Sequence, residues 1–203
     1  MKPGPMQRRT LLQSVAAVAA GVGRMSAQDS SHVHHQAAQT ATKNGGAYKP
    51  QLFNSHEFKT VGLMADLIIP PESGEPGGAG AGAGEFIDLL AANNDKLKDI
   101  WLSGLGWLDH ESLRRSGHSF VDSTSEVRSA ILDDISFRKN LTPELAPGIL
   151  FFNWARRMVV DAYFTSPAGV KALGYMGNTG MAEFKVPQAT LDYVLARSPL
   201  KQP

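Results

Sequence analysis

Phe53-Asn-Ser-His-Glu-Phe-Lys-Thr-Val-Gly-Leu-Met-Ala-Asp-Leu-Ile-Ile-Pro-Pro71, then a glycine-rich run to Gly84, then Glu85-Phe-Ile-Asp-Leu-Leu-Ala-Ala92 decides the fold. Asn54 and Glu57 have the spacing of a capping box, and Phe53 and Phe58 flank them as a hydrophobic staple. Phe58, Val61, Met64, Ala65, Leu67 and Ile68 recur on one face of a 3.6-residue period, which predicts an amphipathic helix. Pro70-Pro71 ends it, because proline donates no N–H and keeps the preceding residue out of the helical region. The run from Glu72 to Gly84 is dominated by glycine and alanine, so it is expected to be a flexible loop with no means of packing itself. Helical periodicity then restarts at Glu85.

Helical signals continue to the C-terminus. Asp95 to about Ser116 carries Leu97, Ile100, Trp101, Leu105, Leu108 and Leu113 as a broad apolar stripe, with Gly117 as a natural stop. Gly104 and Gly106 weaken that helix by about 1 kcal/mol each relative to alanine, which points to a kink or a close approach there. Ser123-Thr-Ser-Glu126 repeats the capping-box spacing and opens a helix through Val127, Ile131, Leu132 and Ile135, with Arg138-Lys139 suited to its last turn. Thr142-Pro143 reads as N-cap and N1 of the next start. Ile149 to Phe164 is the most apolar segment, too short and too charged to span a bilayer, and is expected to be the central core helix. Ser166-Pro167 begins a short helix ending at Gly174, and Pro187 to Arg197 makes the last one. No stretch of period-two alternation is long enough for a sheet. The fold expected over 51–203 is therefore all-α, a single compact bundle of about five to seven helices.

The first fifty residues differ from the rest. Residues 1–27 have a basic start, a twelve-residue weakly apolar run from Leu11 to Val22 and a small residue, Ala27, at the end, the three parts of an export signal. Arg8-Arg9-Thr-Leu-Leu-Gln within it resembles the twin-arginine signal, which directs folded proteins across a membrane. Residues 28–50 are polar and without periodicity, and are expected to form a disordered linker. His32, His34 and His35 fall in it and are read as solvated, because a metal site needs a fixed geometry.

Composition narrows the function. Hydrophobic residues make up 42% and charged residues 19%, ordinary for a globular chain. Four of the 20 basic residues (Lys2, Arg8, Arg9, Arg24) precede residue 28, leaving 16 against 19 acidic ones, a net −3. With no basic stripe, nucleic acid is not an expected partner. The chain has no cysteine, which excludes disulfides, zinc-thiolate sites, cysteine-held iron–sulfur clusters and covalent c-type haem in this chain. His110-Glu111 and His118 lack a zinc-protease spacing, Gly77 to Gly84 lacks the Lys-Ser/Thr of a phosphate loop, and no Gly-x-Ser-x-Gly elbow is present. Catalytic, cofactor-binding and metal-ligating residues are accordingly expected to be absent from this chain.

Leu67-Ile-Ile-Pro-Pro71, Glu85-Phe-Ile-Asp-Leu-Leu90 and Gly174-Tyr175-Met-Gly177-Asn178 resemble the gluconate 2-dehydrogenase subunit 3 family, and the likeness runs from about Phe53 to Phe184. The resemblance implies a non-catalytic small subunit, with Arg8 and Arg9 as the targeting pair. It implies a partner that is a large flavoprotein of the glucose–methanol–choline group, carrying FAD, with haem c in a third, cytochrome subunit. It also implies that the partner is bound, stabilised and co-exported through the twin-arginine translocation machinery to the periplasm, where the complex oxidises a sugar or sugar acid and associates with the inner membrane. Candidate partner contacts are Pro70, Pro71, Gly77, Gly84, Tyr175 and Asn178. The glycine loop is expected either to become ordered against the large subunit or to be a tolerated insertion, since doubling a flexible loop costs only about 0.6 kcal/mol. The alternatives are a free-standing periplasmic helical binding or structural protein, and an enzyme using scattered histidines.

Overall fold

The computed structural model describes residues 27–43, 46–175 and 186–198. Arg8, Arg9 and Asn178 lie outside the described residues. Among those described there are eight α-helices, one 3-10 turn and no strand. Seven of the helices follow residue 50, so the all-α bundle expected from the sequence is the one observed. They are α1 (Ala27–Lys43), α2 (Ser55–Ile68), α3 (Ala83–Ala92), α4 (Asp95–Ser116), α5 (Ser125–Ser136), α6 (Ala146–Thr165), α7 (Pro167–Ala172) and α8 (Gln188–Arg197).

The local signals that start and stop these helices are visible in their ends. Asn54 Oδ1 accepts from the N–H groups of His56 and Glu57 at 2.9 Å each, and Glu57 Oε2 accepts from Asn54 N–H at 2.8 Å. That is the complete capping box at the start of α2. Gly117 closes α4 in the left-handed region at φ 74°, where a Cβ would be strained. Two starts shift from their expected positions. The N-cap of α5 is Thr124, whose hydroxyl accepts from Val127 N–H at 3.4 Å, so Ser123 is not the cap and Glu126 falls too early to close a box. Thr142 Oγ1 accepts from Leu145 N–H at 3.3 Å, making a turn of its own. The helix proper begins after it at Ala146, with Pro147 in its first turn, where a missing N–H costs nothing. Arg138 and Lys139 belong to a separate 3-10 turn past the end of α5.

Helix α6 is the centre, packed against α1 to α5 and against α7. Its tightest junction is with α4. A Cβ on Gly104 of α4 would overlap the Phe151 ring of α6, and a Cβ on Gly148 of α6 would overlap the Trp107 ring of α4. Each helix thus offers a glycine hole to an aromatic ring of the other, a reciprocal close packing that side chains at either position would force apart. Gly106 has nothing within 4 Å and plays no such part. Below this junction Trp101 is fully buried, edge-on to Phe151 with ring centroids 5.3 Å apart, and its Nε1–H points at Met158 Sδ at 3.1 Å. Phe53, Val61, Met64, Phe86, Ile87, Leu108, Phe120, Ile131 and Ile135 complete one continuous core.

The structure departs from the sequence reading over residues 28–50. In place of a disordered linker, α1 runs to Lys43 and rests on α3 and α6. Alanine-rich stretches favour helix, but α1 meets the bundle mainly through Val33, His34 and Ala37, too few positions to announce a buried face by periodicity.

Candidate partner surface

Three aspartates hold the connections between the helices in place, each by accepting main-chain N–H groups. Asp88 on α3 is fully buried. Its Oδ1 accepts from Leu52 and Phe53 N–H at 3.0 and 2.9 Å, and its Oδ2 from Gln51 N–H and the Tyr48 hydroxyl, both at 2.7 Å. A buried carboxylate is tolerated only when its lone pairs are filled in this way. Burial, reinforced by the bond to Asp88, pushes the Tyr48 phenol well above its ordinary range. Asp109 on α4 accepts Phe120 N–H at 2.9 Å and lies 2.6 Å from His56 Nε2, tying α2 to the loop before α5. Asp66 on α2 accepts Ala79 N–H at 2.9 Å.

That last bond belongs to the glycine run, which is not the loose loop the composition suggests. Gly78 N–H donates to Ile69 C=O at 2.8 Å, Ala81 N–H to Gly77 C=O at 2.9 Å and Ala83 N–H to Gly78 C=O at 3.1 Å. Glu72 and Glu75 exchange two main-chain bonds in a tight turn. A Cβ at Gly77 would collide with Asp66 and with Pro71 N, and one at Gly78 would come within 2.5 Å of Ala65 C=O. The glycines are there because the chain lies directly on α2, a close approach that only glycine permits. Gly84 is pressed on the Phe58 ring, 3.3 Å from an added Cβ. Gly77 and Gly84 are therefore buried inside the domain, and neither is available to a partner as the sequence reading expected.

Pro70, Pro71 and Tyr175 are exposed, and the fold gathers their neighbourhoods into one region. A cleft of about 510 Å³ lies between the Pro70 corner and the end of α6, lined by Ile68, Ile69, Pro70, Pro76 and Phe164 with Lys171 on its rim. Lys171 Nζ stands 3.9 Å from Glu75 Oε1 across it. Phe164 is 41% exposed, and Leu173 and Tyr175, which follow Ala172 of the cleft lining in sequence, are 60% and 58% exposed. Tyr163 under Phe164 is buried and packs edge-on to it at 5.1 Å, so the outer ring sits on a fixed base. Neighbouring large apolar side chains left in water on a packed bundle mark an interaction surface. Helix α8 leaves Leu191, Tyr193, Val194 and Leu195 exposed, and none of its residues is buried.

The other groups singled out from the sequence have structural roles or none. His110 and His118 are exposed, and no group of three or more histidine, aspartate or glutamate side chains able to hold a metal occurs among the described residues. Glu111 is buried under Arg114 and Arg115, which bond its two oxygens at 2.7–2.8 Å, and Arg115 reaches on to Asp134 at 2.9 Å. The Arg114 guanidinium first, and Arg115 after it, hold the Glu111 carboxyl down at about 2 against the opposing effect of burial. Among the described residues no helix is long and apolar enough to cross a membrane. Asp88, the best-bonded side chain of the domain, was missed by the sequence reading; its only signal was its place inside Glu85-Phe-Ile-Asp-Leu-Leu90.

A sequence model described as gluconate 2-dehydrogenase subunit 3 matches residues 55–181, from the first residue of α2 to beyond Tyr175. No curated protein and no solved structure matches the chain.

Proposed function

Since the chain belongs to the gluconate 2-dehydrogenase subunit 3 family, which makes it an accessory subunit, we propose that it binds, stabilises and co-exports a large flavin-dependent dehydrogenase of the glucose–methanol–choline group. In this reading FAD and the chemistry of sugar or sugar-acid oxidation reside in the large subunit, and haem c in a third. The small subunit contributes the Arg8-Arg9 address and a docking face. The observation that carries the reading is the family match over the helical body, and the exposed Phe164 at the Pro70 cleft, with Leu173 and Tyr175 exposed just after α7, supports it. A surface of this kind fits a large partner better than a small metabolite, because the Phe164 ring is exposed and rests on the buried Tyr163.

Export tests the reading. With Arg8→Lys and Arg9→Lys together, both this chain and the flavoprotein should be lost from the periplasmic fraction and accumulate in the cytoplasm, because folded cargo travels on one address. Normal delivery of the flavoprotein in that mutant contradicts co-export. Delivery of neither protein even in wild-type cells contradicts the periplasmic location.

A further inference from the structure

Helix α8 lies beyond the residues that the family shares, and all ten of its residues are exposed. A helix that short is marginal in water unless a surface supports it. Its sequence is prepared for one. Leu191, Val194 and Leu195, three and four residues apart, form a single apolar stripe. Asp192 borders that stripe on the Leu195 side and Arg197 on the Val194 side, while Ala189 points the opposite way. Asp192 accepts from Gln188 Nε2 at 2.8 Å, and Arg197 lies over the Tyr193 ring at 3.8 Å, contacts made in water and cheaply exchanged. The cleft beside Pro70 has the matching pattern. Ile68, Ile69, Pro70, Pro76 and Phe164 make its apolar lining, around about 510 Å³. Its one cation, Lys171, comes from α7, and its two anions, Glu72 and Glu75, come from the turn across from it. Lys171 Nζ and Glu75 Oε1 are 3.9 Å apart and Lys171 is 78% exposed, so this pair is loose.

We propose that α8 seats in this cleft of its own chain, stripe inward, with Asp192 toward Lys171 and Arg197 toward Glu72 and Glu75. A stripe with opposite charges on its two borders fits a cleft with opposite charges on its two walls in one direction only. Turning the helix end for end brings like charges together. The covalent link favours the chain's own helix over any other. Tyr175 follows Ala172 of the cleft lining by three residues, and the twelve residues 176–187 join it to Gln188. Twelve residues span at most about 40 Å, and a ten-residue helix is only about 15 Å long, so the tether reaches the whole cleft. A short tether sets an effective concentration of millimolar order. At micromolar protein the α8 of a second copy is therefore at a disadvantage of about a thousandfold. The seat does not depend on the identity of any partner. Its consequence rests on the proposed function: a seated α8 covers Phe164, so a large subunit docking there must displace it.

The chain has no cysteine, so a disulfide between two introduced cysteines reports their approach without background. With Asp192 toward Lys171, Leu195 turns toward α7. The full chain carrying Ala172→Cys and Leu195→Cys should then close an intramolecular disulfide under mild oxidation. Closure should be about tenfold or more faster than with Ala172→Cys and Ala189→Cys, whose second cysteine points away. A tether without a seat gives the two pairs equal rates. Lys171→Glu should reduce the ratio of the two rates about two- to fivefold, the effect of one exposed charge pair, and adding Asp192→Lys should restore it. Taking the ratio cancels any change in thiol reactivity at position 172. Amide hydrogen exchange on the chain without cysteines should show residues 192–197 protected about tenfold or more, and Phe164→Asp should abolish that protection while α4 keeps its own. The proposal is overturned by equal closure rates, by disulfides formed mainly between molecules, by a wild-type α8 without protection, or by protection that survives Phe164→Asp.

Discussion

Replacing Asp88 with alanine removes the acceptor for three main-chain N–H groups and one phenol. Each buried donor left without a partner costs about 1–3 kcal/mol. Four such donors would sum to about 4–12 kcal/mol, but residues 46–53 can lift off and regain water. That relief caps the expected cost at about 3–5 kcal/mol, a large fraction of an ordinary domain's 5–15 kcal/mol. For a body of this size the cost lowers Tm by about 10 °C. Tyr48→Phe, which removes one donor and keeps the ring against Phe58, should cost only about 1 kcal/mol. In the double variant the two effects should be less than additive, because the Tyr48 hydroxyl has lost its acceptor already. Urea unfolding followed by circular dichroism gives the free energies, and hydrogen exchange over residues 48–53 shows whether that segment opens first. An Asp88→Ala protein within 1 kcal/mol of wild type would refute the account of Asp88 as the anchor of this segment.

Three further outcomes follow from other contacts. Gly104→Ala should destabilise the bundle by about 1–3 kcal/mol through overlap with Phe151, measured by urea unfolding, whereas Gly106→Ala, with open space around it, should be neutral or stabilising. Replacing residues 77–84 with a two-residue turn should lower Tm by about 4–8 °C, equivalent to about 2 kcal/mol, because it removes the bonds to Asp66 and Ile69 and the first turn of α3; an unchanged or raised Tm would show the loop to be a loose insertion. Glu111, whose carboxyl is held at about 2, contributes stability that is complete above pH 4.5 and is lost as pH falls toward 2. With Arg114 mostly in water the contribution is about 1 kcal/mol or less, so Glu111→Gln should be slightly less stable than wild type at pH 7, with the gap narrowing in acid.

How much of this was legible in the sequence depended on the range of the interaction. The Asn54–Glu57 box, the Gly117 stop and the apolar helix through Ile149 to Phe164 are written in residues three or four apart, and they stand where the pattern puts them. Two helix starts slipped by one to three residues: Thr124 caps in place of Ser123 because either hydroxyl can accept, and Thr142 closes a turn of its own before the helix begins past Leu145, which offers no side-chain cap. Asp88 was invisible because its partners lie 35 to 40 residues upstream. The glycine run was misread for the same reason. Glycine marks either freedom or a close approach, and only the position of Ala65 and Asp66 beneath Gly77 and Gly78 decides which. His34 read as solvated because Phe86 and Thr165 are distant in sequence. Of the candidate partner contacts, Pro70, Pro71 and Tyr175 are at the surface, while Gly77 and Gly84 are interior.

Affinity purification of this chain from its native cells, followed by identification of the co-purifying proteins and their visible spectrum, tests the central claim most directly. The account predicts a large chain in stoichiometric amount with a flavin absorption band, and a marked loss of that chain when Phe164→Asp and Leu173→Asp are introduced together. A wild-type protein that purifies alone, or a flavoprotein retained at full yield by the double variant, would contradict it.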